Sequence, residues 1–72
     1  MKGLQEQFLN SLRKASIPAT FYLVNGFQMK GLVRAFDDYT VVVECNGCRQ
    51  LVFKHAVSTI APHRPVELPA EQ

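Results

Sequence analysis

The chain has 72 residues, 47% of them hydrophobic and 19% charged, with a formal net charge of +2. That describes one small globular domain; it excludes a multi-domain enzyme, a Rossmann or TIM-barrel fold and a disordered chain. So short a domain buries too little surface to stand on its core alone, which makes self-association the expected staple.

Leu4, Phe8, Leu9 and Leu12 recur at helical spacing with polar residues between them. The spacing predicts an amphipathic helix from about Leu4 to Ala15, closed by Pro18. Glu6 near its start and Arg13 and Lys14 near its end suit the helix dipole. From Ala19 the character turns to β. Thr20–Val24 is rich in strand formers. Asn25-Gly26 predicts a type I′ hairpin turn, with positive φ at both residues. A long second strand follows, Phe27 to Phe36, and Gly31 inside it marks a bend or a bulge. Asp37-Asp38 makes a turn. Thr40–Glu44 is a third strand, and its Val41-Val42-Val43 run suggests burial on both faces. Asn46-Gly47 is a second hairpin turn. Gln50–Phe53 and Ser58–Ile60 are the fourth and fifth strands. The fold class is therefore mainly β. One helix precedes a bent five-stranded antiparallel meander that curls into a small barrel. The domain is expected over residues 1–61. The tail, 62–72, has three prolines and is expected to be disordered. Unpaired strands at the two ends of the meander invite a second copy.

No signal peptide is evident, and no apolar run nears the ~20 residues of a membrane span. With two cysteines and no export signal, a reducing cytoplasm is expected. Cys45-Asn46-Gly47-Cys48 has the spacing of half a zinc knuckle or of a redox pair. A closed zinc site needs four ligands, and His55 and His63 complete no common pattern. The redox motif belongs at a helix start, whereas this pair flanks a hairpin turn. A small-residue strand role is the simpler reading, and a cross-turn disulfide is conceivable geometrically. Ser58, His55 and Asp37 or Asp38 supply triad residue types without a nucleophile elbow, and no phosphate loop is present. Neither catalysis, metal nor cofactor is expected.

Binding chemistry is better represented. Mild positive charge permits a nucleic-acid partner without requiring one. Tyr22, Phe27, Phe36, Tyr39 and Phe53 are interleaved with Lys30, Arg34, Arg49 and Lys54. Aromatics on a β platform stack bases while cations hold phosphates. The same aromatics would equally serve a barrel core.

Tyr22–Gly26, Phe36-Asp37 and Phe53-Lys54-His55-Ala56-Val57-Ser58-Thr59 resemble the two Sm motifs of the bacterial Hfq family of Sm-like RNA chaperones. Gln5 with Phe8-Leu9-Asn10 is similar to that family's N-terminal helix. The resemblance runs from about Leu4 to Pro65, and its Lys-His segment is the most specific part. It implies a helix on a five-stranded bent sheet. It also implies a hexameric ring in which strand four of one copy pairs with strand five of the next. The implied partners are small regulatory RNAs and messenger RNAs, whose pairing the ring promotes in post-transcriptional and stress regulation. On the helix face, U-rich RNA is implied at Gln5, Asp38, Tyr39, Lys54 and His55. Tyr39 would stack, Lys54 and His55 would line the pore, and Gln5 would bond a uracil. On the opposite face, A-rich RNA is implied at Tyr22, Gly26, Phe27, Gln28, Met29, Lys30, Gln50 and Thr59. There Tyr22 would stack, Phe27 and Met29 would form an apolar pocket, and Gln50 and Thr59 would read base edges. The turn alone accounts for Gly26, and Phe36 and Phe53 keep a packing reading beside a binding one.

The pattern departs from the family in three places. Asp38 stands where many relatives have an amide; an ionised carboxylate only accepts hydrogen bonds and repels phosphate, so U-rich binding should weaken. The rim has Asn10, Arg13, Lys14 and Phe36 but only two cations, so weak rim binding and weak annealing are expected. The cysteine hairpin is no family signature. Two other readings compete: a protein-interaction or assembly module on an Sm-like or SH3-like barrel, and a redox or zinc barrel through Cys45 and Cys48.

Overall fold

Buried leucines decide how the first element sits. The computed structural model describes residues 3–66. The helix, α1, spans Leu4–Lys14 and presses Leu9 and Leu12 into the core. Leu4, expected on the same face, is exposed and lines a cavity. The helix stops before Pro18. Ser16 takes a left-handed φ of 51°, and the Ile17 N–H donates to the Leu12 carbonyl at 3.1 Å. This is a Schellman closure, with Leu12 and Ile17 both buried beneath it.

Five strands follow: β1 (Ala19–Leu23), β2 (Gln28–Phe36), β3 (Thr40–Cys45), β4 (Cys48–Phe53) and β5 (Val57–Pro62). They form one antiparallel sheet in the order β4-β3-β2-β1-β5. The first part of β2 pairs with β1, ending at Ala19 opposite Gly31. From Leu32 it pairs with β3 instead. Gly31 stands at this change of partner. A Cβ there would overlap the Glu44 carbonyl, lying 2.9 Å from its carbon and 3.0 Å from the Cys45 sulfur. The bend therefore needs glycine for close approach of backbones. A separate register shift falls at Arg34, between Val33 and Ala35.

Two local forms differ from those the sequence predicts. Asn25-Gly26 is not a type I′ turn. Gly26 has φ 94°, but Asn25 is not in the left-handed region. The Gly26 N–H donates to the Leu23 carbonyl at 3.0 Å, and the Leu23 N–H to the Phe27 carbonyl at 2.8 Å. The loop thus holds three residues and ends on a left-handed glycine. The valine run is not buried on both faces. Val41 and Val43 are buried and Val42 only partly, because the face of Val42 looks toward exposed Leu51.

The core joins Leu9, Leu12 and Ile17 to Ala19, Phe21, Val33, Val41, Val43 and Val52. β5 continues through Pro62, opposite Ala19, one residue beyond the expected domain end. Proline is tolerated there because the strand lies at the sheet edge. The next residues also pack back. The His63 N–H donates to the Pro18 carbonyl at 2.8 Å, its Nε2 lies 2.9 Å from Thr20 Oγ1, and Val66 packs on the core. The expected tail disorder concerns residues 67–72 as well, which lie outside the described residues.

Candidate nucleic-acid interface

One end of the β3–β4 hairpin concentrates polar chemistry. Asp37 Oδ1 accepts hydrogen bonds from the Tyr39 N–H, the Thr40 N–H and the Thr40 hydroxyl, at 2.8, 2.7 and 2.8 Å. These bonds, led by that from the Tyr39 backbone, hold the Asp37 carboxyl below its usual range, and nearby Lys54 adds to the effect. The turn presents Tyr39 with 75% of its surface exposed. The Tyr39 carbonyl accepts the Lys54 N–H at 2.7 Å, tying this turn to the end of β4. Asp38 lies exposed in the same turn.

A single 3-10 turn over Lys54–Ala56 then sets the direction of Lys54 and His55. No local pattern in the sequence announces it. The Ala56 carbonyl accepts the Val24 N–H at 2.8 Å, which anchors the turn to the β1 hairpin. His55 stacks on Phe53 with ring centroids 5.6 Å apart and planes 21° apart. Lys54 Nζ sits 5.6 Å from the centre of the Phe36 ring. Phe36, assigned from sequence to the rim, is thus half-buried beneath the lysine. Phe53 is half-exposed and serves as the platform for His55.

Gln5 and Lys54 share the lining of an open cavity of about 480 Å³, with Leu4, Phe8 and Val57–Ile60 among its other walls. Exposed Gln5 and half-buried Lys54 thus meet on the helix side, with the turn of exposed Tyr39 bonded to the Lys54 backbone and exposed His55 next in the chain. A planar base with hydrogen-bonding edges and a phosphate fits this set of groups.

The groups at the other end of the hairpin are mostly neutral. Gln28, Met29, Lys30 and Gln50 line a groove of about 680 Å³ with Cys45 and Asn46. Met29 is half-buried against the core. Phe27 stands 69% exposed just past the Gly26 turn, where the Asn25 side chain accepts the Phe27 N–H at 3.0 Å. Tyr22 lies opposite Gln28 on one side and Thr59 on the other. Directly paired residues point to one face, so Thr59, Tyr22 and Gln28 form a row across three strands.

Gln50 and Thr59 are not brought together within one chain. Gln50 is on β4 and Thr59 on β5, the two outer strands of the sheet. Thr59 instead borders the cavity that holds Gln5. On the rim, Arg13 Nη2 donates to Asn10 Oδ1 at 2.6 Å along one face of α1. Asn10 and Lys14 line a groove of about 590 Å³ with Arg64, Pro65 and Val66. Arg64 donates to the carbonyls of Ala15 and Ser16 at 3.3 and 3.4 Å. The prolines around Arg64 mark a tail in the sequence and hide this contact.

The sequence model of the Hfq family, described as Hfq protein, matches residues 4–67. The chain belongs to the Hfq family. It is 60% identical over 68 residues to the RNA-binding protein Hfq of Desulfitobacterium hafniense, covering 94% of this chain and 82% of that one. It is 59% identical over 69 residues to the protein of the same name from Moorella thermoacetica, covering 96% and 82%. Among solved structures it superposes on a crystal structure of the pleiotropic translational regulator Hfq. The TM-score is 0.80 at 34% identity, over 82% of this chain and 98% of that one. The helix and five bent antiparallel strands are thus the Sm-like fold of this family.

Proposed function

We propose that the protein is an RNA-binding regulator that works as a ring, with U-rich RNA on the helix face and A-rich RNA on the opposite face. The observation that carries the reading is the split between the two ends of the β3–β4 hairpin. Tyr39, Lys54, His55 and Gln5 cluster at one end, and a groove of Gln28, Met29, Lys30 and Gln50 opens at the other. Tyr39 stacks a uracil, Gln5 bonds its edge, and Lys54 and His55 contact the nucleotide. Tyr22 stacks an adenine, Phe27 and Met29 wall its pocket, and Gln50 and Thr59 read base edges. The rim of Asn10, Arg13, Lys14 and Phe36 contributes weakly.

The ring follows from the sheet edges. β4 and β5 are the outer strands of one chain. Head-to-tail pairing of β4 with the next copy's β5 satisfies both edges and brings the strand of Gln50 against the strand of Thr59. Six copies are the expected number. Repeating a weak pocket around a ring raises effective concentration, so modest contacts add to tight binding. Positive charge multiplied by the copies draws RNA in and makes binding salt-dependent. Two RNAs held on opposite faces find each other sooner, which promotes pairing of small regulatory RNAs with messengers in the cytoplasm. No covalent step belongs to this reading.

The test is fluorescence anisotropy of labelled oligo-A and oligo-U at two salt concentrations. Phe27→Ala should lose oligo-A and keep oligo-U, and Lys54→Ala should do the reverse. Loss of both ligands in both variants would sink the two-face reading. Absence of any binding beyond a salt-sensitive background would leave an assembly module in its place.

A further inference from the structure

We propose that Cys45 and Cys48 are a reversible dithiol–disulfide pair that gates the groove beside Gln50, an inference that rests on the A-rich reading of that groove. Both cysteines are free, Cys45 half-buried and Cys48 exposed. They are Cα partners in the β3–β4 ladder, the last pair before the turn. Asn46 and Gly47 make that turn with left-handed φ values of 52° and 82°. The hairpin therefore fixes the two thiols opposite each other and on one face. Directly opposed residues in an antiparallel ladder lie ~4.5–5.5 Å apart at Cα, inside the ~4.4–6.8 Å that a disulfide spans. At that ladder spacing, side-chain rotation can bring the two sulfurs into reach.

The face matters as much as the spacing. Cys45 shares its side of β3 with buried Val43 and Val41, and Cys48 shares its side of β4 with Gln50 and Val52. Cys45 is itself a wall of the groove formed by Gln28, Met29, Lys30, Asn46 and Gln50. Its sulfur lies toward Gly31, where a Cβ would meet it at 3.0 Å. To reach Cys48 it must rotate away from Gly31. Closure thus removes a sulfur from the groove wall and pins the start of β4, two residues before Gln50.

The oxidant is a low-molecular-weight disulfide. The exposed Cys48 thiolate attacks one of its sulfurs, forming a mixed disulfide and releasing the first thiolate. The Cys45 thiolate then attacks the Cys48 sulfur and releases the second. One disulfide is reduced to two thiols while the protein dithiol is oxidised, and the two protons lost by the cysteines end on the leaving groups. Exposed disulfides are the labile, readily reduced kind, which keeps the step reversible.

The experiment incubates the full chain with oxidised glutathione, then measures intact mass, non-reducing mobility and oligonucleotide anisotropy. The expected result is a loss of two hydrogens per chain without a covalent dimer. Oligo-A should weaken about tenfold and recover in dithiothreitol, equivalent to ~1.4 kcal/mol. Oligo-U should be unchanged. Cys48→Ser should form no disulfide and keep its oligo-A affinity in oxidant. Glutathione adducts or dimers alone, without the loss of two hydrogens, would overturn the pair. A disulfide with unchanged oligo-A affinity would overturn the gating. If the reduced protein fails to bind oligo-A, the A-rich reading falls and takes the gating with it, while the mass change still decides the thiol chemistry.

Discussion

At one end of β3 the chain reverses through Asp37, Asp38 and Tyr39; at the other it reverses through Asn46 and Gly47. The first turn is held by a carboxylate with three donors around one oxygen. The second is held by backbone shape, with two residues in the left-handed region. Lys54 and His55 follow at the first, while the groove at the second has Lys30 as its one cationic wall among the described residues. The ends of a single hairpin thus answer to different variables. Salt and pH should act on the Tyr39 end, and side-chain size should act on the Gly47 end.

The largest effect should fall on both ends together. Gly31→Ala drives a methyl into the Glu44 backbone, which cannot yield as a side chain could. A loss of ~3 kcal/mol or more is expected, read as a shift in the urea midpoint. An unchanged midpoint would break the account of how β2 changes partners. Next come the stacking residues. Tyr39→Ala should cost oligo-U, and Tyr22→Ala oligo-A, ~1–3 kcal/mol each by anisotropy. Equal losses of both ligands in either variant would merge the two ends that the comparison separates.

Smaller effects come from the turn carboxylates. Asp37→Ala should lower Tm by a few degrees, measured by circular dichroism. Its folded pKa is depressed, so its contribution is full above the ordinary carboxylate value and fades as pH falls through the folded one. The wild type should therefore lose its advantage over Asp37→Ala below about pH 4. A constant difference across that range would refute the hydrogen-bonded carboxylate. The smallest expected effect is Asp38→Asn, a gain of a few-fold in oligo-U affinity with oligo-A unchanged. No gain would show that the carboxylate points clear of the RNA.

Local rules carried the sequence reading far. Helical spacing from Leu4 to Leu12 placed α1 within a residue, and β-forming runs located all five strands. Misreadings arose where distant backbone decided a local form. Asn25-Gly26 and Asn46-Gly47 are the same dipeptide, yet only the second makes the two-residue turn with both φ values positive. The first sits beside the Val24 to Ala56 hydrogen bond, which no local pattern announces. The 3-10 turn under His55 depends on the same contact. Tyr39, Lys54 and Gln5 are singled out by the family resemblance alone; in the fold Gln5 and Lys54 line one cavity, and the Tyr39 carbonyl accepts the Lys54 N–H. Arg64 was hidden by proline-rich composition, and the separation of Gln50 from Thr59 appears only once strand order is known.

The two outer strands decide what happens in mixtures of intact and altered chains. The proposed head-to-tail ring would have no spare contacts: each copy would be joined through one edge to its left and the other to its right. A copy with a damaged β4 but an intact β5 can still be recruited, and it then ends the chain it joined. Such a variant would act as a terminator rather than as a silent passenger. A minority of it in a cell would spoil many assemblies, so a defect at one sheet edge should be genetically dominant. A defect confined to a base-stacking tyrosine would be diluted by its healthy neighbours.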